Sequence, residues 1–354
     1  MKKKILFICG SRNQTTQMHQ ISEWLKDEFD CWFSPYYATG FEELLRRANL
    51  TEMSIMGSKM VSRCLQYLKE HDLQADYRGE RNEYDAVFTC ADLVIQKNIR
   101  RKKIVLVQEG MTDPEDLGYY LVKAFRFLPR WIASTATYGM SNAYDILCVA
   151  SEGYRDLFIS KGIRPEKIVV TGIPNFDNCK KYLHNDFPHK NFVLVCTSDS
   201  RETFKFENRK KIIRNAVEIA DGRTLIFKLH PNENADRATR EINTWAPGAL
   251  VYQTGCAEEM IANCDVLITQ YSSTVYVGLA LGKEVYSNFS IDQLRKLLPL
   301  QNNAAAKNIA QIAKEMLTFG NSIVVPLVRE DNFFAKERLL HYKQKVARLF
   351  ARAS

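Results

Sequence analysis

The chain has 354 residues, too many for one typical core, so two domains of roughly 150–200 residues are expected. Apolar residues make up 46% and charged residues 25%, an ordinary globular balance that excludes disorder except at the extreme ends. The net charge of +8 suits an anionic partner, such as nucleotide phosphates, an anionic acceptor or an anionic membrane; the basic residues are scattered and no DNA or RNA motif occurs, so nucleic acid is not an expected partner.

The nine cysteines (9, 31, 64, 90, 148, 179, 196, 256 and 264) are odd in number, irregularly spaced and free of any CxxC pair. They argue against a disulfide framework and against structural zinc, and no metal site is expected. Cys9, Cys148 and Cys196 sit inside apolar runs, where a thiol behaves as a small hydrophobe. This is the pattern of reduced core cysteines in a cytoplasmic protein.

At the N-terminus, MKKKILFICG has only a short apolar run, closed by Gly10-Ser11-Arg12. It reads as a buried first strand rather than a signal peptide. No apolar stretch approaches the ~18–20 residues of a membrane span. Further strands are expected over 86–90, 104–108, 146–150, 168–172, 192–196, 224–229, 250–252 and 266–269. Their residues are apolar at successive positions rather than alternating, which marks parallel sheet covered on both faces. Helical patterns over 14–29, 41–47, 207–219 and 257–264 lie between them. Repeated strand–helix units imply right-handed crossovers and doubly wound sheets. The series starts twice, with a polar, turn-rich stretch over 174–190 between. The expected organisation is α/β: a first Rossmann-like domain over 1–178, a second over 179–331, and a basic amphipathic helix over 332–354 that could cross back to the first domain.

Five loops carry candidate chemistry. In CGSRNQTTQ, residues 9–17, a strand is followed by Gly10, Ser11, Arg12 and a polar helix start. Such a turn binds phosphate or sugar in many α/β folds, and it is equally an ordinary strand–helix turn. It is neither GxGxxG nor a P-loop, so neither a dinucleotide nor ATP is implied, and no cofactor is expected. In VLVQEGMTDPED, residues 105–116, a strand ends in Gln108-Glu109-Gly110. Gly110 permits a sharp turn and close approach to a ligand. Asp113 either offers a second carboxylate or starts a helix with Thr112 and Pro114. In CTSDSRETF, residues 196–204, Thr197, Ser198 and Arg201 follow the first strand of the second domain, and Arg201 suits a phosphate or a sugar carboxylate. Solvation alone is the other reading of that loop.

KLHPNEN, residues 228–234, sets His230-Pro231 at the C-terminal edge of a strand, where ligands bind in open α/β sheets. Proline stops the strand and fixes the local backbone. The histidine either caps the strand or donates to a phosphate. The next strand ends in Gln270-Tyr271-Ser272-Ser273 before a helix. Two hydroxyls there serve as caps or as phosphate ligands. His-Pro and Ser-Ser at consecutive strand ends, about forty residues apart, point together to a phosphate.

These HP and SS motifs resemble those of bacterial sialyltransferases, Kdo transferases and CDP-glycerol glycerophosphotransferases, all GT-B enzymes with two Rossmann-like sheets facing across a cleft. TGIPNFD, residues 171–177, resembles the joining segment of these enzymes and of UDP-N-acetylglucosamine 2-epimerase. The resemblance implies that His230, Pro231, Ser272 and Ser273 hold the donor phosphate, with Thr197, Ser198, Arg201, Gln270 and Gly172 on the nucleotide side. It implies Glu109 as the base that activates an acceptor hydroxyl, with Asp113 as the second choice, and Gly10, Ser11, Arg12, Gln108, Gly110 and Asp113 on the acceptor side. The function expected is metal-independent transfer from a nucleotide-sugar, with a CMP-linked acidic sugar favoured and a UDP-sugar next, to a glycan or lipid-linked acceptor in cell-surface polysaccharide or glycolipid synthesis. CDP-alditol transfer is the first alternative, weakened because the first domain holds only His19 and His71. Epimerisation is the second, weakened because Ser272-Ser273-Thr274 stands where the epimerase has Ser-Gly-Gly. The basic, aromatic stretch over 118–134, with Lys123, Arg126 and Arg130, has the composition of an interfacial helix and suggests peripheral membrane contact. A half-buried helix with snorkelling bases is its other reading.

Overall fold

The computed structural model describes residues 2–48, 54–125, 128–202 and 206–319. The first sheet contains β1 (Lys4–Cys9), β2 (Asp30–Pro35), β3 (Ala86–Thr89), β4 (Lys103–Val107), β5 (Ile146–Val149) and β6 (Ile168–Val170), in the order β2-β1-β3-β4-β5-β6. The second contains β7 (Val193–Cys196), β8 (Leu225–Lys228), β9 (Leu250–Tyr252), β10 (Val266–Ile268) and β11 (Glu284–Tyr286), in the order β11-β10-β7-β8-β9. Every pairing is parallel. The central strands are buried along almost their whole length, as their unbroken apolar runs require.

All the expected strands form, and two edge strands join them. β2 reads DCWFSP, with its first three residues half-buried and a proline at its end. Proline is tolerated on an edge strand, where no partner needs its missing N–H. β11 is three residues long and exposed at both ends. Neither strand carries the apolar run that marks a central position.

The helices are α1 (Arg12–Ser22), α2 (Phe41–Arg47), α3 (Ser58–Glu70), α4 (Leu117–Ala124), α5 (Glu152–Ser160), α6 (Arg209–Ala220), α7 (Ala235–Trp245), α8 (Ala257–Asn263), α9 (Thr274–Ala280), α10 (Ile291–Leu297) and α11 (Ala305–Phe319). The helix expected over 14–29 stops at Ser22 and continues as turns. Asp116, not Asp113, caps α4, accepting from the Tyr119 N–H at 2.9 Å. Among the described residues no helix is long and apolar enough to cross a membrane. All nine cysteines are free thiols.

Met1–Ala313 forms one compact unit that includes both sheets, and a second unit begins at Lys314. Within the first unit one apolar core runs from Leu6 and Leu106 through Tyr154 and Phe176 to Leu194 and Leu267. The chain returns to the first sheet after β11. The Leu300 N–H donates to the Ala150 carbonyl at 3.0 Å, and the Ser151 hydroxyl to the Leu297 carbonyl at 3.1 Å. Gly153 lets these backbones meet, because a Cβ there would fall 2.0 Å from the Lys296 carbonyl oxygen. The Asp177 carboxylate accepts the Asn303 and Ala305 N–H groups at 2.6 and 2.8 Å, at the start of α11. The return is thus made by residues 291–305. The helix expected over 332–354 lies outside the described residues.

Candidate functional site

In each sheet the strand order reverses direction once. In the second sheet β7 leads to β8 and β9 on one side, and β10 then lies on its other side. The crevice beyond the C-terminal ends of strands at such a reversal is where open α/β sheets bind ligands. Three loops converge there: Thr197 and Ser198 after β7, His230 after β8, and Gln270 to Ser273 after β10.

His230 is held by its neighbours. Its backbone N–H donates to the Thr197 hydroxyl at 3.0 Å, and its carbonyl accepts the Glu233 N–H at 3.0 Å. The Asn232 N–H points at Nδ1 from 3.2 Å, which assigns the proton of the neutral ring to Nε2 and leaves that nitrogen a donor. The Thr197 hydroxyl in turn donates to the Glu233 carboxylate at 2.5 Å, and Arg209 pairs with Glu233 at 2.6 Å. Burial pushes the Glu233 carboxyl up, while Thr197 and Arg209 pull it down. The His-Pro turn therefore rests on a buried, fully partnered network.

Ser273 is not a plain cap, whereas the Ser272 hydroxyl accepts the Thr274 N–H at 3.4 Å. Ser273 occupies the N-cap position of α9 with helical dihedral angles and no side-chain cap bond. Its hydroxyl makes no hydrogen bond among the described residues. The Ser272 hydroxyl shares a hydrogen bond with the Thr274 hydroxyl at 2.9 Å.

In the first sheet the reversal lies between β1 and β3. Ser11 and Gln14, after β1, reach over the end of β3 to Glu109, after β4. The Ser11 hydroxyl donates to one carboxylate oxygen at 2.7 Å and the Gln14 amide to the other at 2.6 Å. Burial pushes the Glu109 carboxyl above the usual carboxylate range, and these two donors oppose the shift. Gly10 allows Gln14 its position, since a Cβ on residue 10 would lie 2.2 Å from Gln14 Oε1.

The loop that follows Glu109 and the turns that carry His230 and the serines line one cleft of about 210 Å³, made by Met111, Thr112, Asp113, Pro114, His230, Tyr271, Ser272, Ser273 and Phe289; Ser11, Gln14 and Glu109 are not among its lining residues. Gly110 comes close to the serine pair. A Cβ on it would lie 3.3 Å from Ser273 Cβ and 3.4 Å from Ser273 Oγ. Gly110, next in sequence to Glu109, thus faces Ser273, while the Glu109 carboxylate itself is held by Ser11 and Gln14. Asp113 lines the cleft with its carboxylate accepting from the Thr135 hydroxyl at 2.8 Å.

Other expected residues stand elsewhere. Arg201 makes a two-pronged ion pair with Glu241 at 2.8 and 2.9 Å and lies 3.5 Å from Glu233, so its guanidinium is engaged within the protein. Ser198 bonds Glu207 at 2.6 Å and Gln270 at 3.1 Å, tying the β7 and β10 loops together. Gln108 is buried, donating to the Gly110 carbonyl at 2.8 Å and accepting from the Ala150 N–H at 2.9 Å. Its task is to shape the turn that carries Glu109. Gly172, expected on the nucleotide side, has φ +77° and packs against Leu300 and Ala305, away from the cleft lining. Arg12 is exposed at the start of α1, and Pro231 is exposed after His230. Leu117, Tyr120, Phe125, Trp131 and Ile132, in the segment suggested for membrane contact, are exposed, while Arg130 is paired with buried Asp92 at 2.9 Å. Arg126 lies outside the described residues.

Sequence reasoning missed Gln14, Tyr271 and Phe289. Tyr271 sits inside the Gln270–Ser273 motif, and its aromatic ring was the available signal. Phe289 arrives from the turn after β11, and nothing local announces it.

No family model matches the chain, and no curated protein matches it. Solved structures do. The UDP-GlcNAc 2-epimerase from Neisseria meningitidis bound to UDP-GlcNAc is similar over 89% of this chain and 99% of its own, at 15% identity and TM-score 0.55. The fold is GT-B. The S. aureus MnaA–UDP structure is similar over 89% of this chain and 88% of its own, at 15% identity and TM-score 0.54. A structure of the wall teichoic acid polymerase TagF with CDPG covers 89% of both chains, at 13% identity and TM-score 0.51. At these identities the likeness establishes the GT-B architecture. It extends to epimerase and teichoic acid polymerase structures, two of the groups whose motifs this sequence resembles; the link to sialyltransferases and Kdo transferases rests on the motifs alone.

Proposed function

We propose that the protein is an enzyme that transfers a glycosyl group from a nucleotide-sugar to an acceptor hydroxyl. The observation that carries this reading is the cleft in which His230 and the serine pair share a lining with the loop that follows Glu109. His230 Nε2–H and the uncapped Ser273 hydroxyl are donors suited to a phosphate. They would stabilise the charge that gathers on that phosphate as the leaving group departs. Glu109, held by Ser11 and Gln14 with its pKa raised by burial, has the character of a general base, and it stands in the turn that leads into the 111–114 loop of the cleft. Similar folds are known with UDP, UDP-GlcNAc and CDPG, which supports a nucleotide-linked substrate. A CMP-linked acidic sugar or a UDP-sugar is the donor in this reading, and a glycan or lipid-linked hydroxyl the acceptor, in cell-surface polymer synthesis.

The test is a thermal-shift screen with CMP, CDP, UMP, UDP and GDP, since a ligand that binds only the folded state raises Tm. At least one pyrimidine nucleotide should stabilise the protein. His230→Ala and Ser273→Ala should each weaken that nucleotide about 10- to 100-fold, the worth of one hydrogen bond to a charged group. If His230→Ala bound nucleotide and turned over donor like the wild type, the assignment would be wrong.

A further inference from the structure

The cleft contains an aromatic surface that phosphate binding does not use. Tyr271 is 53% exposed, yet it lines the cleft beside Ser272 and Ser273 rather than standing alone on the outer surface. Phe289 lines it as well, packed edge-on against the Tyr271 ring with centroids 5.1 Å apart and planes at 83°. The pairing is built in. The Ser287 hydroxyl donates to the Gln270 carbonyl at 2.8 Å and accepts the Phe289 N–H at 3.3 Å, joining the turn after β11 to the turn after β10. A half-exposed aromatic ring among Thr112, Asp113, His230 and the two serines offers a ligand in this polar cleft an aromatic face.

Position narrows that partner. The wall opposite the phosphate donors is the 111–114 loop, which follows Glu109 directly. Whatever group joins the phosphate to the acceptor must occupy the space between these walls. In the nucleotide-sugar reading, a nucleoside that extends away from the 111–114 loop leaves the transferred group beside this ring. The face of an aromatic ring is electron-rich and takes the polarised C–H face of a closed sugar ring. An open alditol chain has no such flat face. Resting on the nucleotide-sugar reading above, we propose that Tyr271, braced by Phe289, is the platform for the sugar ring of the donor, and that the enzyme selects cyclic glycosyl donors over alditol phosphates.

The experiment is titration calorimetry of the full chain and its Tyr271→Ala and Tyr271→Phe variants with CMP, UDP, CMP-N-acetylneuraminate, UDP-N-acetylglucosamine and CDP-glycerol. Tyr271→Ala should weaken the sugar nucleotide that binds wild type by about three- to tenfold, while leaving the bare nucleotide within twofold. Tyr271→Phe, which keeps the ring, should bind as wild type does. Equal weakening of the bare nucleotide would assign the ring to base stacking and overturn the proposal. So would an undiminished sugar nucleotide, or equal weakening of CDP-glycerol. If wild type binds none of the five, the nucleotide-sugar reading itself falls. If nucleotides bind and His230→Ala abolishes their binding while Tyr271→Ala discriminates nothing, only the platform falls.

Discussion

Thr197→Val tests whether the His-Pro turn is held from below. Thr197 is buried, and valine matches its shape but not its hydroxyl. The substitution deletes the acceptor of the His230 N–H (3.0 Å) and the donor to Glu233 (2.5 Å). The first is a neutral bond worth about 1 kcal/mol, and the second involves a charged partner and is worth about 1.5–3 kcal/mol. Glu233 keeps Arg209 at 2.6 Å, so its charge is not stranded. Exchanging hydroxyl for methyl returns less than about 1 kcal/mol through apolar burial. The expected net loss is about 2–3 kcal/mol. A cooperative unit of the size of Met1–Ala313 unfolds with an entropy of about 0.7 kcal/mol/K, so Tm should fall by about 3–4 °C. Differential scanning calorimetry of wild type, Thr197→Val and Thr197→Ser measures this directly. Serine restores the hydroxyl and should recover most of the loss. The reasoning is refuted if valine melts with the wild type, or if serine falls as far as valine does.

Two further predictions concern Glu109 and the α4 surface. The acid limb of kcat/KM should lie above the ordinary carboxylate range, because burial raises Glu109; Glu109→Gln should abolish that limb and lower kcat by about 10²- to 10⁴-fold. A carboxyl whose folded pKa exceeds its unfolded one gives its full contribution below the unfolded pKa and loses it as pH rises through the folded pKa. Glu109→Gln should therefore melt above wild type at neutral pH, with the gain vanishing in acid; a gain that persists in acid would show that burial of charge is not the cause. Leu117, Tyr120, Phe125, Trp131 and Ile132 expose apolar side chains on and after α4, so wild type should co-sediment with anionic vesicles at low salt. A Leu117→Asp, Trp131→Asp double variant should reduce the bound fraction severalfold, and wild type that stays in the supernatant removes the idea.

Most of the architecture was legible in the sequence because burial on both faces leaves an unbroken apolar run. β1, β4, β5 and β7 each carry one. β2 and β11 escaped because edge strands are half solvated, so their residues carry no such signature. The end of α1 at Ser22 escaped because no glycine or proline between 23 and 29 marks it in the sequence.

At the site, the sequence by itself determined the chemistry on offer. His230 and the serine pair had to stand at strand ends, because Pro231 stops one strand and a helix follows the other. Glu109 lies just past the end of β4 at Val107, and Gly110 beside it lacks the Cβ that would crowd Ser273. Only the tertiary structure decided which groups face one another. Ser11, Gln14 and Glu109 come together because β1 and β4 flank β3, and strand order is set by long-range pairing that local sequence does not encode. The same order turned Arg201 onto Glu241 instead of the cleft, and brought Phe289 against Tyr271. Side-chain identity is local information. The identity of its neighbour is a property of the packed sheets.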